Sequence, residues 1–193
     1  MGRVISIFLF LVIFCSEPYF AGVIKGKVST AKLKAPKDIV VYIDKIEGKE
    51  LSSSGEPAKM DQIKLVFIPY VLPIIKGTTV EFHNSDDVKH NVFAVGTENF
   101  DLGTWTKGIT KSYTFNKLGD TAILCNVHPE MEAYVFVLQN PYFAITDENG
   151  QYQIKDVPSG SYKLKAWHNR LKPVTKDVDV AASGELSVDF ELK

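Results

Sequence analysis

The chain has 193 residues, 45% of them hydrophobic and 23% charged, the composition of an ordinary globular protein long enough for one domain or two small ones. Its formal net charge is -1 at pH 7 and it holds no run of five or more basic residues. That leaves no excess of Lys and Arg to neutralise a phosphate backbone, and nucleic acid is not expected as a partner.

In chain order, the first element is an export signal. Gly2-Arg3 gives a short positive start, Val4 to Phe14 is an apolar run broken only by Ser6, and Glu17 and Pro18 end it. About 20 apolar residues are needed to cross a bilayer, so this shorter run predicts a cleaved peptide over residues 1–21, cut near Ala21. The mature chain is then expected in the periplasm or another extracytoplasmic space. A membrane enters only if the segment is retained or if Cys15 is lipidated. Removing the signal leaves Cys125 as the one cysteine, unable to make an internal disulfide. A thiolate exposed to an oxidising compartment climbs the oxidation ladder, whereas metal coordination would hold it in one state.

Past the signal come short alternating runs separated by Gly, Pro, Asn and Asp, which predict an all-β chain. Lys45 to Lys59, with Gly48, Ser52 to Ser54, Gly55 and Pro57, has no periodicity and is predicted as a loop. In Thr79-Val80-Glu81-Phe82 the apolar residues take every second position, which puts His83 on the face away from Val80 and Phe82, toward solvent. The Asn149-Gly150 pair predicts a tight hairpin, and Val157-Pro158-Ser159-Gly160 a type I turn. Alternation recurs at Tyr162, Leu164 and Ala166, and again at Leu186, Val188, Phe190 and Leu192, so the C-terminal third is predicted as a meander of hairpins. His168, sharing parity with Ala166, is expected partly buried with a hydrogen-bonded ring.

Cys125, His128 and Met131 are each separated by two residues, so one tight loop can bring a thiolate, an imidazole and a thioether to a common point, with the distant His90 closing the set. Two imidazoles, a thiolate and a weak axial thioether form the ligand set of a blue-copper electron-transfer site. Structural zinc is disfavoured because methionine is a poor zinc ligand, and covalent haem because no Cys-x-x-Cys-His exists.

Residues 59–139 resemble a small cupredoxin of the plastocyanin and amicyanin kind. The resemblance is carried by Val66-Phe67-Ile68-Pro69, by Gly77-Thr78-Thr79-Val80-Glu81-Phe82 with Asn84 and Asp86, by His90-Asn91-Val92, and by Cys125-Asn126-Val127-His128-Pro129-Glu130-Met131. It implies one type 1 copper, with Cys125 as thiolate, His90 and His128 as equatorial imidazoles, Met131 as axial ligand, and Asn91 in the outer shell, tying the ligand loops together. Glu130 departs from the pattern, standing where such relatives can carry an apolar residue. Residues 140–193 resemble the later strands of a carboxypeptidase regulatory-like sandwich, in Thr146 to Tyr152 and Val157 to Leu164, and residues 22–58 its opening strands plus a linker, at Gly22 to Val28 and Val40 to Ile43. The expected fold is therefore a cupredoxin Greek-key β-sandwich inserted into a small prealbumin-like sandwich.

The expected function is one-electron transfer between redox proteins, such as a c-type cytochrome or a dehydrogenase, through the edge of His128. The chain is not expected to be an enzyme, since it carries no recognisable nucleophile-base spacing and no glycine-rich phosphate loop. Copper storage or delivery would use the same ligands, and a structural or carbohydrate-binding sandwich would need no metal.

Overall fold

The computed structural model describes residues 21–48, 51, 53 and 55–193, and the export segment with Cys15 lies outside them, apart from Ala21. Among the described residues there are seventeen strands and no helix. Two strands open the fold, β1 (Ala21–Ser29) and β2 (Val40–Ile43). The middle block is β3 (Ala58–Ile63), β4 (Val66–Ile68), β5 (Val71–Ile75), β6 (Thr79–Asn84), β7 (His90–Gly96), β8 (Phe100–Trp105), β9 (Thr110–Thr114), β10 (Gly119–Leu124) and β11 (Glu132–Leu138). The chain closes with β12 (Phe143–Ile145), β13 (Gln151–Pro158), β14 (Gly160–His168), β15 (Leu171–Val180), β16 (Glu185–Ser187) and β17 (Phe190–Glu191).

Strand pairing separates the middle block from its flanks. β3 to β11 form two sheets, ordered β5-β11-β10-β7-β8 and β4-β3-β6-β9, around a core that includes Met60, Phe82, Phe115, Ile123 and Val135. The flanking strands form two more, β13-β1-β16 with β17 also beside β1, and β12-β2-β14-β15, around Ile24, Val41, Ile154, Leu164 and Phe190. The opening strands thus lie within the sheets of the closing ones. The exit and return of the chain are clasped: Gln139 and Ile46 exchange two hydrogen bonds, Nε2 to O at 3.3 Å and N to Oε1 at 3.2 Å, and Asn140 Nδ2 donates to Ile43 O at 2.8 Å.

Strands buried on both faces join the two sandwiches. All four residues of β2 are buried. Val41 and Ile43 enter the flanking core, while Val40 and Tyr42 join Val71, Phe136, Leu138 and Trp167 in a third cluster. Phe136 stacks on Trp167 with ring centroids 4.5 Å apart, and Tyr42 meets Phe136 edge-on at 5.2 Å.

Several expectations need correction. Of the predicted meander only β14–β15 is a hairpin, because β12 and β13 lie in opposite sheets, as do β13 and β14. The Asp147–Gly150 turn forms, with Gly150 N–H bonded to Asp147 O at 3.0 Å, but it steps between sheets. The apolar alternation from Leu186 to Leu192 splits into β16 and β17, both parallel to β1. The predicted loop ends before Ala58 and Lys59, which begin β3.

Two local features generate tests. A Cβ on Gly26 would lie 1.9 Å from Val188 O, where the final strands press onto β1. Gly26→Ala is expected to cost about 2 kcal/mol as an overpacked site, lowering Tm by roughly 6 °C for a chain of this length. An unchanged thermal unfolding curve would show that the final strands are not pinned there. Glu98 is buried and accepts the N–H groups of Asn116 (2.9 Å) and Lys117 (3.0 Å) and the Tyr113 hydroxyl (3.2 Å). Burial pushes its carboxyl up, but those bonds and the Lys117 ammonium outweigh it and hold it below its ordinary 4.5. A depressed carboxyl contributes stability above the unfolded pKa and loses it as pH falls through the folded value. Glu98→Gln is therefore expected to make the fall in denaturant midpoint below pH 4.5 less steep than in the unchanged chain.

Candidate metal centre

His90 opens β7 and is fully buried; Cys125 follows the end of β10 and is 3% exposed; His128 is half-buried in the connecting loop; Met131 immediately precedes β11 and is 1% exposed. One ligand atom from each of His90, Cys125 and His128 falls within 4.8 Å of the others. The two histidine Nδ1 atoms are 3.1 Å apart, and Cys125 Sγ is 4.0 Å from His128 Nδ1. Such separations let a single small ion meet nitrogen and sulfur at bond lengths of about 2.0–2.3 Å. Met131 belongs to the same buried cluster as Cys125, and its N–H is bonded to His128 O at 3.0 Å, which closes the ligand loop into a tight turn.

Three neighbours fix these side chains. The Asn91 N–H points at Cys125 Sγ (3.4 Å), its Oδ1 accepts from Asn126 N (3.2 Å), and its Nδ2 donates to Asp101 (2.8 Å), so one residue joins the loop of each ligand. Asn84 Oδ1 accepts from Asp86 N (2.9 Å) in an Asx turn, and its Nδ2 donates to the carbonyls of Val88 (2.9 Å) and Trp105 (3.1 Å). Asp86 Oδ2 lies 2.9 Å from His90 Nε2, so the ring carries its proton there and turns the Nδ1 lone pair toward Cys125 and His128.

Asp86 has a second task. β3 and β4 are joined by only Lys64 and Leu65, both in the left-handed region at φ 55° and 62°, as a two-residue hairpin requires. Neither residue is a natural occupant of that region. The Asp86 carboxylate accepts both their N–H groups, at 2.6 and 2.9 Å. Burial pushes the Asp86 carboxyl up, and the two amides with the His90 ring more than reverse this, leaving it below its ordinary 3.8. The sequence flags Asp86 only as part of a matching stretch, because its role depends on a turn with no Asn-Gly signature.

The other histidines fall outside this group. His83 is partly exposed on the outer face of β6, its Nδ1 2.9 Å from Thr110 Oγ1 and its Nε2 3.4 Å from Glu81. His168 is 5% exposed, and its Nδ1 accepts the Arg170 N–H at 3.1 Å. Asp86→Ala is expected to weaken Cu(II) binding about 10- to 100-fold, the usual cost of losing the partner that orients a ligating histidine. Competition titration against a chelator of known affinity measures it, and an unchanged affinity would remove Asp86 from the support of the site.

Residues 129–193, about a third of the chain, match the carboxypeptidase regulatory-like domain family. The matched span starts in the ligand loop and lies wholly after β1 and β2. No curated protein matches the chain. Among solved structures, a purple cupredoxin from Nitrosopumilus maritimus is 24% identical over 42% of this chain and 98% of its own, with a TM-score of 0.39. The oxidised state of an amicyanin mutant is 27% identical over 42% of this chain and 81% of its own, with a TM-score of 0.40. A Cu-containing nitrite reductase (NirK) from Thermus scotoductus SA-01 is 23% identical over 58% of this chain, at a TM-score of 0.42, and the match spans only 28% of that enzyme. In its own strand pairing the chain is all-β, one two-sheet sandwich set between the strands of a second, and the span matching the carboxypeptidase regulatory-like domain takes in β11 of the first and the later strands of the second.

Proposed function

We propose that the chain is an exported type 1 copper protein that carries single electrons between redox proteins. The observation that carries the proposal is the approach of one ring nitrogen each of His90 and His128 and of Cys125 Sγ to within 4.8 Å of one another, with the Asn91 N–H directed at the sulfur. Copper bound there would supply one-electron exchange between Cu(I) and Cu(II).

The chain's own residues divide the work. Were copper bound, Cys125 would offer a soft sulfur donor, His90 and His128 imidazole nitrogens, and Met131, next in the loop, a weaker thioether. Burial of His90, Cys125 and Met131 excludes water. His128 alone of the four is partly exposed, and its edge is the route by which an electron leaves. Exposed Val127 beside it, together with exposed Leu65 and Val88 in the loops that brace His90, gives a redox partner such as a c-type cytochrome or a dehydrogenase an apolar place to dock. Glu130, Lys64 and Lys89, all exposed, supply a charged rim. The apolar run from Val4 to Phe14 supports export to the periplasm or an equivalent space.

Electron carriage is favoured over catalysis because the four ligands reserve no position for a substrate. Delivery of copper to another protein is the second reading, and the burial of Cys125 and His90 favours retention over hand-off. The first test is spectroscopic. Copper loading is expected to give an intense thiolate-to-Cu(II) band that Cys125→Ser abolishes; full colour in that variant would remove Cys125 from the site. The second test cycles the loaded chain between reduction and reoxidation beside a moderate Cu(I) chelator. A carrier regains nearly all its colour in each cycle, whereas steady loss to the chelator would establish delivery instead.

A further inference from the structure

The hairpin tip between β14 and β15 reaches from one sandwich to the ligand loop of the other. The tip is Asn169 and Arg170; the Arg170 N–H bonds to His168 Nδ1, and the β14–β15 register shifts between Ala166 and His168. Asn169 Nδ2 donates to Tyr70 Oη at 3.0 Å. Tyr70 Oη in turn lies 3.5 Å from Glu132 Oε2, and Arg170 Nη2 lies 4.0 Å from the same oxygen. The other carboxylate oxygen, Oε1, accepts the hydroxyl of Tyr134. Glu132 directly follows Met131. It is also the first residue of β11, paired with Leu124 just before Cys125.

Glu132 is therefore held from three sides, and one of the three belongs to the flanking sandwich. The backbone on its far side has little freedom, since Tyr134 N is bonded to Tyr70 O at 2.8 Å and the Tyr134 ring meets Trp167 edge-on at 6.0 Å. A shift of the tip would be passed to Glu132 and from there, through one peptide, to Met131.

We propose that Asn169 and Arg170 are positioning residues for Met131, acting through Tyr70 and Glu132, so that the flanking sandwich sets how the axial thioether stands against the other three ligands. The consequence for the reduction potential rests on the copper reading above; the restraint on the loop does not. Both residues sit in a partly exposed turn, so the double variant Asn169→Ala/Arg170→Ala retains the β14–β15 pairing.

The test has two arms. In the metal-free chain, amide exchange at Met131, whose N–H is bonded to His128 O, is expected to quicken about fivefold in the double variant, the equilibrium worth of one ordinary hydrogen bond. Exchange at Ile123 in β10 should not change, and Lys163→Ala, in an exposed ion pair on the same hairpin, should alter neither site. Unchanged exchange at Met131 overturns the proposal. In the copper-loaded chain, the double variant is expected to shift the reduction potential when Met131 is present and to leave it unmoved in a Met131→Leu background, a non-additivity that only coupling through Met131 produces. Equal shifts in the two backgrounds also overturn it. If no thiolate band forms in any chain, the electron-transfer reading falls, and the exchange arm by itself decides whether the tip restrains the loop.

Discussion

Strand β11 is buried on both of its faces, in two different cores. Ala133, Val135 and Val137 enter the middle core, and Phe136 and Leu138 enter the cluster shared with Val40 and Trp167. Since successive side chains of a strand alternate, no slip of one residue is tolerated: it would exchange the two sets and empty both cores. Cys125 and Met131 lie at the two ends of the loop between β10 and β11, so the register of this pair, Leu124 opposite Glu132, fixes where that loop starts and stops.

The ligand group gains its order from polar residues that each serve two segments. Asn91 bonds to both Asn126 and Asp101 while offering its N–H to the sulfur, and Asp86 restrains His90 and the β3–β4 turn together. A carboxylate drawn partly out of water is costly unless hydrogen bonds satisfy it. Here the same bonds that satisfy Asp86 impose one imidazole orientation, and two left-handed residues, Lys64 and Leu65, are held by them. Side chains supported in this way are held in one arrangement.

Which of these features can be read from sequence follows from how local they are. The Cys125, His128 and Met131 spacing is legible because one short loop must supply several donors, and His90 with Asn91 because a ligand and the residue next to it share one strand. Apolar alternation exposes β6, whereas Val40 to Ile43, matched only as an opening strand, proves in the structure to be buried throughout. Turn chemistry is legible at Gly150, whose added Cβ would lie 2.2 Å from Val28 O, but a tight turn serves equally to pair two strands or to step between sheets. That ambiguity is why a meander reads from sequence where the chain crosses from sheet to sheet. Asp86 and Glu132 carry no local signature, because the groups they hold, at Lys64 and Leu65 and at Tyr70 and Arg170, arrive through tertiary contact.

Insertion of one sandwich into another normally leaves the two free to move, since a long insert costs little more loop-closure entropy than a short one and imposes no orientation. Two features remove that freedom here. The entry and exit segments are bonded to each other through Ile46 and Gln139, which acts as a hinge pin, and the stacked rings of Phe136 and Trp167 stand off that pin as an apolar contact. A pin alone permits rotation and a contact alone permits sliding; together they leave one arrangement. The strand that presents Phe136 to Trp167 is the one that begins one residue after Met131. The flanking sandwich is therefore joined to the ligand loop through a single strand, β11.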